Sequence, residues 1–110
     1  MNAIIYNYKI WINSTDTYLL LPKLREILRK SEYNVLNFIE HSFVPQGYTC
    51  LWLLAESHLA LHTFPEQNNS YIELSSCNEA MNKRFVAEVE AWLTEANISH
   101  SNTEEQISKP

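Results

Sequence analysis

The chain has 110 residues, of which 45% are hydrophobic, and its formal net charge is −5. This length and apolar content suit one domain with one sizeable core. The eight basic residues are spread thinly, so the sequence predicts neither a nucleic-acid-binding face nor a polybasic membrane anchor. No apolar run reaches the roughly 18 residues that span a bilayer, and the N-terminus lacks a signal-peptide pattern. We therefore expect a cytoplasmic protein whose two cysteines, Cys50 and Cys77, are free thiols.

Hydrophobic periodicity predicts the secondary structure in chain order. Alternating apolar residues over 3–12 indicate a strand, and helical spacing over 17–31 follows three candidate N-cap residues at 14–16. In that helix Pro22 fits only in the first turn, because a proline further along removes a backbone hydrogen bond. The remaining predicted elements are strands over 33–43, 48–56, 58–64 and 71–76, and a helix over 79–96.

The order β-α-β-β-β-β-α predicts an α+β fold, a two-layer α/β sandwich in which a mainly antiparallel sheet carries both helices on one face. The domain is expected to span 1–98, and the polar residues of 99–110 are expected to form a disordered tail. The chain's single glycine, Gly47, predicts a turn between two strands. The sheet face without helices is expected to be apolar in places and is a candidate for self-association.

Candidate chemical groups are concentrated in the run 56–66 and in Cys77. His58 and His62 share one face of a strand, so a kink is needed to bring the hydroxyl of Ser57 near His62. His58, His62 and Cys77 could supply three metal ligands, but no local ligand pair typical of a zinc site is present. A Ser-His-Asp hydrolase is disfavoured, because the chain has no G-x-S-x-G turn and a single aspartate.

Each of these residues also has an ordinary structural interpretation. Ser57 could be a strand serine bonded to a backbone carbonyl, and His62 could be a core or edge histidine with a satisfied hydrogen bond. Cys77 could be a small buried hydrophobic residue, although it lies where a strand meets a helix. Cys50, inside the apolar strand 48–56, is interpreted as structural.

The segment 43–78 resembles the bacterial and archaeal S-adenosylmethionine decarboxylases. The family pattern F-x-P-x-G-x-S, then a hydrophobic strand, then E-S-H-L-x-x-H-T-W-P-E, then T-C-G, maps onto it without gaps. In this chain the pattern reads Phe43-Val44-Pro45-Gln46-Gly47-Tyr48-Thr49, then Glu56-Ser57-His58-Leu59-Ala60-Leu61-His62-Thr63-Phe64-Pro65-Glu66, then Ser76-Cys77-Asn78.

The resemblance implies an enzyme that makes its own pyruvoyl cofactor. The hydroxyl of Ser57 would attack the carbonyl of Glu56, His62 would remove the α-proton of Ser57, and the chain would split into 1–56 and 57–110. The pyruvoyl group formed from Ser57 would make a Schiff base with S-adenosylmethionine and take up electrons as carbon dioxide leaves. Cys77 would be the general acid, and the product would be the aminopropyl donor for spermidine biosynthesis.

The resemblance also implies substrate-binding residues and an assembly. Phe43 and Phe64 match the positions that sandwich the adenine, and Glu66 matches the carboxylate that holds the ribose hydroxyls. Thr49 stands at the position of a processing serine. Because the family's active site forms between two processed protomers, the resemblance implies a homodimer. No residue is assigned as a metal ligand.

Departures from the family pattern leave alternatives open. Phe64 replaces a tryptophan, Asn78 replaces a glycine, and Glu73 replaces an aspartate. Asn78 is expected to tolerate left-handed backbone geometry. The altered surroundings leave open a pyruvoyl enzyme for a free amino acid such as ornithine or arginine, although such a substrate has no use for an adenine clamp. The methyl group of Thr49 stiffens its side chain and leaves open a non-processing relative that binds or regulates a partner subunit.

Overall fold

The computed structural model describes residues 4–102, which form a six-stranded sheet and two helices. The elements are β1 (Tyr6–Ile12), α1 (Thr17–Lys30), β2 (Val35–Ser42), β3 (Tyr48–Leu54), β4 (Ser57–Phe64), β5 (Asn69–Ser76), α2 (Glu79–Glu95) and β6 (His100–Ser101). The strand order across the sheet is β2-β3-β4-β5-β1-β6, and every neighbouring pair is antiparallel. A short 3-10 turn, Pro65–Gln67, connects β4 to β5.

The predicted two-layer α+β architecture is confirmed. Each helix buries one apolar stripe, as the helical spacing predicts. The buried helix residues are Leu20, Leu24, Ile27 and Leu28 from α1 and Phe85, Val89, Trp92 and Leu93 from α2. They share a single core with alternate residues of the strands, among them Ile10, Trp52, Leu61 and Ile72. Both helices therefore cover the same face of the sheet.

The opposite face of the sheet carries no helix and is called the open face below. Its side chains are those that alternate with the core residues along each strand. They include Asn7, Lys9, Trp11, Asn37, Ile39, His41, Thr49, Leu51, Leu53, His58, Ala60, His62, Phe64, Asn69, Tyr71, Glu73 and Ser75. Ile39 is 63% exposed and Leu53 is 45% exposed. The open face is thus apolar in places, as expected.

Pro22 does not lie where the sequence predicted. The N-cap of α1 is Asp16, whose side chain accepts a hydrogen bond from the backbone N–H of Tyr18 at 3.0 Å. Pro22 is therefore inside the helix, in its second turn, rather than in the first turn. The carbonyl that loses its helical donor belongs to Tyr18, a residue that is 93% exposed, so solvent compensates for the lost bond.

The chain termini modify two expectations. The predicted strand over 3–12 begins at Tyr6, and residues 1–3 lie outside the described residues. His100 and Ser101 pair with Ile12 and Trp11, so the expectation of a disordered tail from 99 onward is wrong for these two residues. Residues 103–110 lie outside the described part of the chain. Between residues 4 and 102, neither helix has the length and apolar character needed to cross a membrane.

Candidate active site

The peptide bond between Glu56 and Ser57 lies in the tight hairpin that joins β3 to β4. Leu54 and Ser57 are the last paired residues, so the turn consists of Ala55 and Glu56. Glu56 has a φ of 58°, in the left-handed region that costs a non-glycine residue on the order of 1 kcal/mol. Ser57 is only 8% exposed and lies on the helix-covered face with Leu54. The chain therefore holds this peptide bond in an unusual backbone conformation.

Cys77 lies beside that hairpin. It directly follows β5, and its Sγ donates to the backbone carbonyl oxygen of Glu56 at 3.3 Å, with Glu56 Oε1 at 3.7 Å. Cys77 is exposed, so its interpretation as a buried hydrophobic residue is wrong. Cys50 is buried in the core, and both thiols are free, as predicted. Glu56, Ser57 and Cys77 thus form one group, named the cleavage cluster after the predicted cut between Glu56 and Ser57.

Asn78, the residue after Cys77, does not adopt the left-handed backbone geometry that it was expected to tolerate. Its φ of −115° and ψ of 111° are extended, so it does not use the left-handed geometry that the family's glycine suggested. Instead its side chain caps α2 and accepts a hydrogen bond from the backbone N–H of Met81 at 2.9 Å. Asn78 thus starts α2 immediately after Cys77, which itself follows the end of β5 at Ser76.

His62 lies on the open face, half-buried, beside Thr49. Thr49 Oγ1 and His62 Nδ1 are 3.0 Å apart, because Thr49 and His62 are paired residues of β3 and β4. The ring of Tyr71 on β5 stacks on the imidazole with a centroid distance of 6.2 Å. Burial lowers the pKa of His62, and the carboxylate of Glu73 partly offsets this effect by raising it. The net lowering of its pKa favours the neutral imidazole.

The structure does not bring His62 to Ser57 within one chain. Both residues lie on β4, whose pairing with β3 is unbroken from Ser57 to Thr63, so the kink that would bring them together is absent. Five residues of extended strand place them about 17 Å apart, and their side chains point to opposite faces. Within a single chain, Cys77 therefore lies beside the Glu56–Ser57 bond as expected, whereas His62 does not.

The predicted substrate-binding residues are at the same end of the sheet as His62. Phe43 follows β2, and its backbone N–H donates to the carbonyl of Gly47 at 2.8 Å, which closes the β2–β3 turn. Gly47 has a φ of 107°, so the predicted turn does require its glycine. Phe64 ends β4, and the exposed Glu66 follows in the 3-10 turn. Phe43, Thr49, His62, Phe64 and Glu66 form a second group, the histidine cluster.

Two aromatic residues in this region were missed by sequence reasoning. The ring of Trp11 contacts Phe64 at 5.7 Å and Tyr71 at 5.1 Å between centroids. Phe43 instead contacts His41, at 4.6 Å. Strand alternation alone could have placed Trp11 and Tyr71 on one face of their strands. Their contacts with Phe64 and His62 depend on which strands are neighbours in the sheet, which alternation does not reveal. The candidate metal ligands are not brought together, since residues 4–102 contain no group of three His, Cys, Asp or Glu residues able to hold a metal ion.

The fold and the two clusters define a class of protein: a two-layer α+β domain with a serine and a cysteine at one end of its sheet and a histidine at the other. A family model described as S-adenosylmethionine decarboxylase matches residues 13–105. The chain belongs to the S-adenosylmethionine decarboxylase family, as the sequence resemblance predicted.

Similar proteins agree with this placement. The chain is 34% identical over 85 residues to the S-adenosylmethionine decarboxylase proenzyme 2 of Bacillus anthracis, a match that covers 77% of this chain and 69% of that protein. It is 38% identical over 64 residues to the S-adenosylmethionine decarboxylase proenzyme of Parasynechococcus marenigrum, a match that covers 58% of this chain and 50% of that protein. The chain thus spans about half the length of several curated relatives that it matches.

A solved structure shows the same fold. The adenosylmethionine decarboxylase from Aquifex aeolicus VF5 superposes with a TM-score of 0.68, covering 92% of this chain and 89% of that chain. The two sequences are 17% identical, so this likeness concerns the fold alone.

Proposed function

We propose that this protein cleaves itself between Glu56 and Ser57 and, with the pyruvoyl group so formed, decarboxylates S-adenosylmethionine. The observation that carries the proposal is the 3.3 Å hydrogen bond from Cys77 Sγ to the carbonyl oxygen of Glu56, the atom next to the bond that would break. A donor on this oxygen draws electron density from the carbonyl carbon and favours attack on it.

Cleavage begins with groups that the cleavage cluster holds. Ser57 Oγ bonds to the carbonyl carbon of Glu56, and the C–N bond breaks, which leaves an ester and a free amine on Ser57. Loss of the Ser57 α-proton then expels the backbone carboxylate of Glu56, together with the former Ser57 oxygen, from Cβ of residue 57 and leaves an enamine. Its imine tautomer takes up water and releases ammonia, and the pyruvoyl group remains on 57–110. The left-handed φ of 58° at Glu56 supplies backbone strain that the break relieves.

His62 supplies the base for the α-proton, and the structure favours its delivery by a second chain. His62 Nδ1 lies 3.0 Å from Thr49 Oγ1, and in the tautomer whose Nδ1 donates to that hydroxyl the lone pair of the neutral ring is on Nε2. Because His62 and Ser57 lie about 17 Å apart on one strand, the histidine cluster of one protomer would serve the cleavage cluster of its partner. We therefore propose a homodimer with two sites between its subunits, joined through the partly apolar open faces.

The residues around Ser57 fit a pyruvoyl group. Ser57 is the hydroxyl residue from which the group would form, and the exposed Cys77 is beside it to return a proton to the substrate carbon. The group supplies an electron sink for the electron pair released with carbon dioxide. Phe43, directly after β2, and Phe64, at the end of β4, lie to either side of β3 and would hold the adenine, and the carboxylate of Glu66 would accept from the ribose hydroxyls.

The two alternatives lose support from the same geometry. The hydroxyl of Thr49 keeps its 3.0 Å contact with His62, so the extra methyl group does not displace it as the non-processing alternative requires. Phe43, Phe64 and Glu66 are gathered at one end of the sheet, which serves a nucleoside better than ornithine or arginine. We propose a cytoplasmic enzyme that supplies the aminopropyl donor for spermidine biosynthesis.

Substrate identity is tested by carbon dioxide release from carboxyl-labelled S-adenosylmethionine, ornithine and arginine. We expect release from S-adenosylmethionine alone. Glu66→Gln weakens one charged hydrogen bond to the ribose and should raise KM about tenfold while self-cleavage is unchanged. The matched control is Gln67→Ala, an exposed neighbour in the same 3-10 turn, which should leave KM unchanged. Release from ornithine or arginine alone would overturn the substrate assignment.

The pH dependence of self-cleavage tests the role of His62. His62 must be neutral to act as the base. The rate of self-cleavage should therefore fall only when the pH drops through the lowered pKa of His62, which lies below the ordinary histidine value of about 6.5. Glu73→Gln removes the charge that raises this pKa, and the midpoint of the pH–rate profile should move further toward acid. The profile is measured on freshly refolded precursor, with Glu40→Gln on the edge strand as control. A midpoint that moves toward alkali would contradict this role.

A further inference from the structure

A buried hydrogen-bonded path leads from the end of α1 to the cleavage cluster. The hydroxyl of Tyr33 donates to Ser76 Oγ at 2.6 Å, and the two residues are 6% and 1% exposed. Tyr33 is itself fixed by the end of the helix, because its backbone N–H donates to the carbonyl of Leu28 at 2.9 Å. A short hydrogen bond between two buried hydroxyls restrains the rotation of both side chains.

The hydroxyl of Ser76 also connects the two residues that flank Cys77. Its Oγ accepts from the backbone N–H of Asn78 at 3.2 Å and lies 3.3 Å from the Asn78 carbonyl oxygen. One hydroxyl thus links the residue before Cys77 to the residue after it, which fixes the turn that carries the thiol. The thiol of Cys77 in turn donates a hydrogen bond to the carbonyl oxygen of Glu56.

We propose that Tyr33 is a positioning residue for Cys77, holding the thiol on the Glu56 carbonyl through the hydroxyl of Ser76. Tyr33 touches no reacting atom, and its effect on the reaction rests on the proposed function. Electrostatics agree with the proximity, since burial raises the pKa of Tyr33 and the nearby Cys77 adds to that rise.

Tyr8 offers a matched control for the ring of Tyr33. Both tyrosines are buried and both meet Phe85 edge-on, with ring centroids at 6.3 Å for Tyr8 and 6.4 Å for Tyr33. The Tyr8 hydroxyl lies near Glu90 and Asn102 and has no hydrogen-bond partner at ordinary distance. Changing each tyrosine to phenylalanine therefore keeps the packing in both cases and removes the link to Ser76 in one.

The test measures alkylation of Cys77 by iodoacetamide in full-length chains that also carry Ser57→Ala, so that all remain uncut. Buried Cys50 serves as an internal reference for unfolding. Tyr33→Phe should accelerate Cys77 alkylation about fivefold, the effect of losing one net hydrogen bond, and Tyr8→Phe should not. In chains with Ser57 intact, Tyr33→Phe should slow self-cleavage and lower kcat without raising KM. Equal alkylation rates in Tyr33→Phe and Tyr8→Phe would overturn the proposal.

A second variant covers the case in which Tyr33→Phe fails to fold. Ser76→Ala removes the other hydroxyl of the same path and should also accelerate Cys77 alkylation. The double variant, Tyr33→Phe with Ser76→Ala, should be alkylated at the same rate as Ser76→Ala alone. Additive effects would overturn the proposal. Because alkylation needs no catalysis, faster alkylation of Tyr33→Phe in the uncut Ser57→Ala chains would support the positioning role of Tyr33 even if chains with Ser57 intact never cleave, a result that would reject the proposed function alone.

Discussion

Replacement of Ser57 by alanine should leave every chain at full length and abolish decarboxylation. Alanine has no oxygen to attack the Glu56 carbonyl, so neither the ester nor the pyruvoyl group forms. The loss should be complete within detection, at least about a thousandfold, because the variant lacks the reacting group rather than one of its supports. Denaturing electrophoresis measures cleavage, and labelled carbon dioxide measures turnover.

Ser70→Ala is the matched control for this result. Ser70 is fully buried and donates to the carbonyl of Ser14 at 2.6 Å, so its change removes a buried serine hydroxyl from another part of the sheet. It should lower the free energy of unfolding by about 1 kcal/mol and leave cleavage intact. A Ser57→Ala chain that still divides at the same bond, or still releases carbon dioxide, would contradict the assignment of Ser57.

Two inactive variants should restore activity when they are co-expressed. Ser57→Ala removes a residue of the cleavage cluster and His62→Ala removes one of the histidine cluster, and the two clusters lie at opposite ends of β4. In a mixed dimer one site then has both Ser57 and His62, while the other site has neither. Equal expression should give about a quarter of wild-type activity, with about half of the His62→Ala chains cut. Mass spectrometry identifies the cut chains by the His62→Ala mass on 57–110.

The pair Ser57→Ala and Cys77→Ala is the control for this experiment. Both changes lie in the cleavage cluster, so every site of a mixed dimer lacks one of the two groups and turnover should stay at the level of the single variants. No cleavage after co-expression of Ser57→Ala with His62→Ala would show that each chain acts on itself, and the proposed exchange of clusters between subunits would be wrong.

Most of the secondary structure could be predicted, because each element has a single strong hydrophobic period. The stripe that includes Phe85 and Val89 has helical spacing, and Tyr8, Ile10 and Ile12 alternate, so both patterns indicate one buried face. Pro22 was misplaced because its cost in the second turn is local and modest, whereas the burial of Leu20 and Leu24 favours the longer helix.

The candidate site was predictable in its residue types but not in its arrangement. The two-residue alternation along a strand shows which side chains share a face, but it does not show that β4 stays straight from Ser57 to His62. The approach of Cys77 to Glu56 depends on the register of β5 against β4, a pairing of residues distant in sequence. Tyr33 gave no signal, since its contact with Ser76 joins residues 43 positions apart.

The intact mass of the purified protein under denaturing conditions tests the central claim most directly. Self-processing predicts two fragments, 1–56 and 57–110, with the second lighter than a free serine terminus by the mass of one ammonia molecule. A single chain of full mass after prolonged incubation would contradict the proposed self-cleavage. A second fragment with an unmodified serine would show cleavage without formation of the pyruvoyl group, and would contradict the proposed chemistry.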